Sequence, residues 1–292
     1  KQGIFIPVSR VNTAYEYYKK LLDHDAVLSD KQGLPGSKED FMLNKLDADD
    51  DWRVNIVWTD IKEAGGHNDI EKAGLSELSE QGGPGPGSYI YVKPGQTPGN
   101  VLIEIKSGKI KGNPTLWSWH IWIVDKYPTV LDVASQGGDG PKTVQLMSHL
   151  LGAYERVQSQ YSADAYREFG MQYQWGRKDP FPAHDVRVNK NFYDGSGKLF
   201  DFLWEQRGND VNYGKTDAQQ ARGAALTMKQ SIEHPNAIVS HQSFWLYECF
   251  PHGFVSYFKD RWVFLYPWNQ PSQTGNPEDV GGKTVFDPSP YG

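Results

Sequence analysis

Apolar positions recur with a period of two over much of the first 125 residues. Trp52, Val54, Ile56 and Trp58 alternate with Arg53, Asn55 and Val57, which predicts a strand with the first set on one side. The apolar run Ile4–Val8 and the segments Ser88–Val92 and Val101–Ile105 read as further strands. Turn residues separate them: Gly82–Gly87, Lys93-Pro94-Gly95, and Ser107-Gly108. The densest segment is Trp117–Asp125. Trp117, Trp119, Ile121 and Ile123 form one face, and Ser118, His120, Trp122 and Val124 the other. Both faces are largely apolar, so this strand is expected to be covered on both sides and to lie at the centre of its assembly. Several short strands at regular spacing predict a β-sandwich-like module over 1–125.

The pattern changes after Asp125. Residues 126–142 read as loop, and Thr143–Leu151 is short and apolar. Gly170–Trp175 alternates Met171, Tyr173 and Trp175 against Gln172 and Gln174. Pro180 and Pro182 make the following stretch irregular. Helical composition is best over Thr216–Gln230, with a shorter candidate at Ala14–Leu22; residues 29–51 read as loop. The expected class is β-rich α+β, with a second, loop-rich module over 126–292.

Hydrophobic residues make up 38 % and aromatics 13 % of the 292 residues, so large rings supply much of the core. The net charge of −6 argues against a nucleic-acid partner, which calls for a basic face. No apolar run approaches the ~18–20 residues of a membrane-spanning helix. Cys249 is the single cysteine, which excludes an intrachain disulfide and a CxxC zinc site. The opening, Lys1-Gln2-Gly3-Ile4-Phe5-Ile6, reads directly as a strand, which suggests an N-terminally trimmed chain.

Motifs for catalysis are sparse. There is no GxSxG element, P-loop or dinucleotide fingerprint; Tyr213-Gly214-Lys215-Thr216 lacks the upstream glycine of a P-loop. His241 and His252 lack HExxH spacing, so no metal site is assigned. Asp47, Asp49, Asp50 and Asp51 offer oxygens to calcium but lack EF-hand spacing, and a solvated acidic loop is the plainer reading. No cofactor is implied. Arg177 and Asp179, two apart after a strand, suit an arrangement that ties the turn to the backbone. His120 reads as a satisfied core histidine. The aromatic stretch from Phe244 to Trp268 is the candidate sugar platform, with Trp245, Tyr247, His252, Tyr257 and Arg261 as ligand-binding residues and Asp260 as a further hydrogen-bonding group.

Five elements occur in order: the Trp117–Asp125 strand, Met147–Ala153 (MSHLLGA), Gly170–Pro182 (GMQYQWGRKDPFP), Ser231–Asn236 (SIEHPN) and Lys283–Gly292 (KTVFDPSPYG). Together they resemble the major paralogous domain at the C-terminal end of Bacteroides-type fimbrial tip proteins and related surface lipoproteins. The resemblance covers roughly 110–292. The opening, with IPVSRVN, WRVNIVWTDI, YVKPG and GNVLIEI, resembles the β module that often precedes that domain. Trp117, Trp119, His120, Trp122, Trp175, Arg177 and Asp179 carry its structural signature. The chain departs from the family in two places: MSHLLGA stands where MDRNLGA is usual, and Ser289 stands where the last element usually has cysteine. Family members also continue beyond that element, so the resemblance implies either a chain incomplete at its C-terminus or missing strands supplied from elsewhere.

The resemblance implies a C-type-lectin-like or formylglycine-enzyme-like scaffold and a non-catalytic adhesive role at the cell surface, fimbria or outer membrane. A glycan, a host protein and other fimbrial subunits are the implied partners. It brings no catalytic residues. Two alternatives remain open: an assembly subunit that accepts a donor strand at a sheet edge, and a polysaccharide-active enzyme with two convergent carboxylates.

Overall fold

A computed structural model describes residues 2–24, 42–61, 74–110, 112–137, 140–154, 168, 170, 171, 173, 178–180 and 228–235. These form three small antiparallel sheets and two helices, a β-rich fold. The strands are β1 (Ile4–Pro7), β2 (Arg53–Thr59), β3 (Leu75–Gln81), β4 (Tyr89–Pro94), β5 (Gly99–Lys106), β6 (Thr115–Ile123), β7 (Val130–Gly137) and β8 (Gly140–Met147). The helices are α1 (Arg10–His24) and α2 (Met228–Glu233). Strand order is β1-β4-β3 in the first sheet, β2-β5-β6 in the second and β7-β8 in the third.

The first two sheets and both helices share one hydrophobic core. Ile90 and Val92 enter it from β4, Val101, Ile103 and Ile105 from β5, and Trp117, Ile121 and Ile123 from β6. Val11, Ala14 and Tyr18 come from α1, and Met228 and Ile232 from α2. Alternation explains the strand contributions, since residues two apart share a face. A side-chain amide then fixes α1 to the loop ahead of β2. Asn12 Nδ2 donates to the Leu46 carbonyl and Asn12 Oδ1 accepts from the Leu46 amide, both at 2.8 Å. The carboxylate of Glu233 in α2 accepts from Asn44 Nδ2 at 2.8 Å, so the SIEHPN element closes onto the same loop.

Several expectations need correction. The tryptophan-rich strand is not central: among the described residues β6 has a neighbour, β5, on one side only. The central position belongs to β5, in which every residue from Gly99 to Ile105 is buried. Ladder position and face coverage are separate properties, and β6 is largely covered on both faces while sitting at an edge. Trp58 does not share a side with Ile56. The register shifts between them, and Trp58 pairs with Leu102 one step after Ile56 pairs with Ile103. That bulge turns the indole away from the main core and onto Leu102 and Met171.

Residues 126–142 are not loop throughout: β7 and the first three residues of β8 lie within them, paired as a hairpin with Val133 opposite Val144 and Gly137 opposite Gly140. The glycines there mark its turn. Strand β3 (LSELSEQ) escaped the sequence reading because only Leu75 and Leu78 of it are apolar. Helix α1 extends beyond Ala14–Leu22 at both ends, and of the Thr216–Gln230 candidate the described part is Met228–Gln230, in α2.

Candidate functional site

The second face of the β2-β5-β6 sheet carries a polar seam in an apolar surround. Cross-strand pairing sets Asn100 opposite Trp122, Leu102 opposite His120, and Glu104 opposite Ser118, so all six side chains share this face. Asn100 is fully buried, in a strand otherwise rich in aliphatic residues, and its amide is saturated. Its Nδ2 donates to Asp60 Oδ2 at 2.8 Å and to the Gly152 carbonyl at 2.9 Å. Its backbone amide donates to Asp60 Oδ1 at 2.7 Å. Asn100 Oδ1 lies 2.8 Å from His120 Nε2.

This pattern fixes the histidine tautomer. Both Asn100 amide protons face acceptors, so its oxygen must face a donor, and that donor is Nε2–H of His120. Turning the amide over would set its oxygen against a carboxylate and a carbonyl. In the neutral ring Nδ1 is then an acceptor, and the Tyr173 hydroxyl donates to it at 3.3 Å. Burial pushes the His120 pKa down to about 4, against a smaller opposing pull from Asp60. Burial, with the nearby Asp179 charge as the second cause, holds the Tyr173 phenol well above its ordinary value, which keeps the donor protonated.

The 148–153 segment closes the seam at one end. Trp122 Nε1 donates to the Ala153 carbonyl at 2.9 Å, beside the Asn100–Gly152 bond. Gly152 has φ of +85°, and a Cβ there would approach Met171 Cγ to 2.4 Å. Glycine is therefore required twice, by conformation and by space.

A buried ion pair closes the other end. Lys178 Nζ is 2.6 Å from Asp179 Oδ1, with both side chains below a tenth exposed. Ser118 Oγ donates to the same oxygen at 2.7 Å. The ammonium also donates to the Ser118 carbonyl at 3.2 Å and to its hydroxyl, and it sits 4.5 Å from the Trp117 ring centroid. The turn after the QWG element is thus pinned to β6.

Of the signature residues, Trp117 is in the main core and Trp119 packs against it, while His120, Trp122 and Asp179 belong to the seam. Trp175 and Arg177 lie outside the described residues, as do the ligand-binding candidates Trp245, Tyr247, His252, Tyr257 and Arg261. The described partners of Asp179 are Lys178 and Ser118. Met171 and Tyr173 both pack on the Trp58–Leu102 cluster, as their alternation has them on one side, without a ladder.

Sequence reasoning missed Asp60, Asn100, Ser118, Gly152 and Lys178 as members of the seam. A lone asparagine inside a strand destined for full burial was the available signal, since a buried amide requires partners.

The acidic run is held by lysines. Lys109 Nζ lies 3.0 Å from Asp49 Oδ2 and 3.6 Å from Asp50 Oδ1, and Lys45 Nζ lies 2.9 Å from Asp47. Hydrogen bonding to Lys109 holds the Asp49 pKa below its ordinary value. Asp50 Oδ2 instead accepts from the Asp47 amide at 2.8 Å. Among the described residues no group of three or more His, Cys, Asp or Glu side chains is arranged to hold a metal ion, and no helix is long and apolar enough to cross a membrane.

Comparison with protein-family models, with curated proteins and with solved structures found no match.

Proposed function

We propose that the chain is a cell-surface or fimbrial-tip adhesin that binds a glycan or a partner protein without turning it over. On this reading a β-sandwich-like module precedes a C-type-lectin-like one, and the site of action is extracellular. The observation that carries it is the convergence of sequence-distant motifs. The tryptophan strand meets the MSHLLGA element through Trp122 and Asn100, and meets the GMQYQWGRKDP element through His120 and Ser118. The elements that carry the resemblance are thus pieces of one structural joint in this chain. The seam's polar groups are occupied by one another, which suits architecture better than turnover. The test is to screen the purified chain on a glycan array and on extracellular-matrix proteins. Saturable binding to at least one is expected, and binding to neither refutes the reading.

A second reading, an assembly subunit, draws support from the sheet edges. Among the described residues β1 and β3 are the outer strands of their ladder; on the β3 side the Val54 amide of β2 donates to Glu80 Oε1, which leaves β1 as the edge with no described strand on its outer side. A donor strand from a neighbouring subunit would complete such an edge. Mixing the chain with peptides from candidate subunits tests this; a stable, denaturant-resistant complex is expected, and no complex with any of them removes it.

A further inference from the structure

The outward face of the β1-β4-β3 sheet is built unlike the inward one. Register sets Phe5 opposite Tyr91 and Pro7 opposite Tyr89 across β1 and β4. It sets Lys93, Tyr91 and Tyr89 opposite Glu77, Ser79 and Gln81 across β4 and β3. The alternate positions Ile90 and Val92 enter the core, so these residues face away from it.

Phe5 is 63 % exposed and Tyr89 45 % exposed. The Phe5 ring is centred 4.9 Å from Tyr91 and 6.3 Å from Tyr89, tilted to the first and edge-on to the second. A Cβ on Gly3 would fall 2.3 Å from the Tyr91 hydroxyl oxygen, so the bare glycine makes room for that ring on the surface. Beside the rings runs a ladder of polar atoms on β3. Gln81 Nε2 donates to Ser79 Oγ at 3.1 Å, and Ser79 Oγ donates to Glu77 Oε1 at 3.4 Å.

We propose that this face is a binding surface for a neutral saccharide, with Phe5, Tyr89 and Tyr91 as the stacking platform and Gln81, Ser79 and Glu77 as the hydrogen-bonding rail. The chemistry selects that occupant. A pyranose presents an apolar C–H face to rings and hydroxyls, both donors and acceptors, at its rim. Here an apolar strip lies one strand-spacing, about 5 Å, from a strip that offers both donors and acceptors. Charge complementarity narrows the class. The charged groups on this face, Glu77 and Lys93, stand opposite each other and balance, which suits a neutral ligand over a polyanion. The site deepens the adhesin reading and rests on its glycan form. It lies in the first 125 residues and shares no residue with the Phe244–Trp268 stretch that holds Trp245 and Tyr257.

The test is affinity electrophoresis of the purified full chain in gels carrying xyloglucan, mannan, mixed-linkage β-glucan or heparin. Retardation by at least one neutral polysaccharide is expected. Phe5→Ala combined with Tyr91→Ala is expected to weaken it about tenfold or more, as for loss of an aromatic contact. Gln81→Ala, a change of one exposed side chain, is expected to weaken it several-fold with unchanged circular dichroism, which separates recognition from folding. Retardation that survives both variants but is lost in Trp245→Ala overturns this site and leaves the adhesin reading standing. Retardation by heparin alone overturns the neutral ligand. Retardation by none of the four overturns the inference, while saturable binding to a matrix protein in that case preserves the broader function.

Discussion

Asn100→Leu is the substitution that most directly tests the seam. Leucine keeps the branched outline, at a larger volume, but removes two donors and one acceptor from a fully buried site. The Gly152 carbonyl, Asp60 Oδ2 and His120 Nε2–H each lose a partner at 2.8–2.9 Å. A buried polar group left unpaired costs about 1–3 kcal/mol. Three such groups, softened by partial relaxation, give about 3–5 kcal/mol. Tryptophan-fluorescence unfolding in urea measures it, with a lower midpoint at unchanged slope as the expected signature. A double-mutant cycle with His120→Phe locates the effect, because the two changes share one hydrogen bond and their losses are expected to fall short of additive. A loss under about 1 kcal/mol, or strict additivity, would refute the network as drawn.

His120 sets a pH dependence. Its folded pKa of about 4 lies below the ordinary 6.5, so above pH 6.5 the ring is neutral in both states and its contribution is complete. As pH falls from 6.5 toward 4 the unfolded chain takes up the proton first, and up to about 3 kcal/mol is lost. Unfolding midpoints across that window should fall less steeply in His120→Gln than in the parent, and parallel curves would contradict the assignment. Lys178→Met leaves the Asp179 carboxylate buried beside Ser118 and is expected to cost about 3–5 kcal/mol, with Lys178→Met/Asp179→Leu recovering much of it; calorimetry of the pair decides. Gly152→Ala forces a Cβ toward Met171 at positive φ and is expected to destabilise by about 2 kcal/mol or more, whereas a thermal midpoint equal to the parent's would show that the 148–153 segment docks otherwise.

Local pattern carried a good part of the fold. Ile4–Pro7, Tyr89–Pro94 and Gly99–Lys106 overlap the strands expected from the sequence, and the two faces of Trp117–Ile123 divide as the period of two requires. Pattern failed where a single residue resets the phase, as at the bulge that turns Trp58 around. It failed again at β3, whose polar surface-facing residues give no apolar signal, and at β7–β8, where turn glycines hid the flanking strands.

The amino-acid order by itself determined which residues alternate and which faces are apolar, because those follow from backbone periodicity and the chemistry of each side chain. Only the tertiary structure decided that β5 rather than β6 is central, and that Asp60, Asn100, His120, Gly152 and Tyr173 meet. Hydrogen bonds between residues 20 to 53 positions apart depend on how strands pair and where loops return, and no local pattern encodes that. The same holds for the outward aromatic face, since Phe5 and Tyr91 become neighbours through the register of two strands.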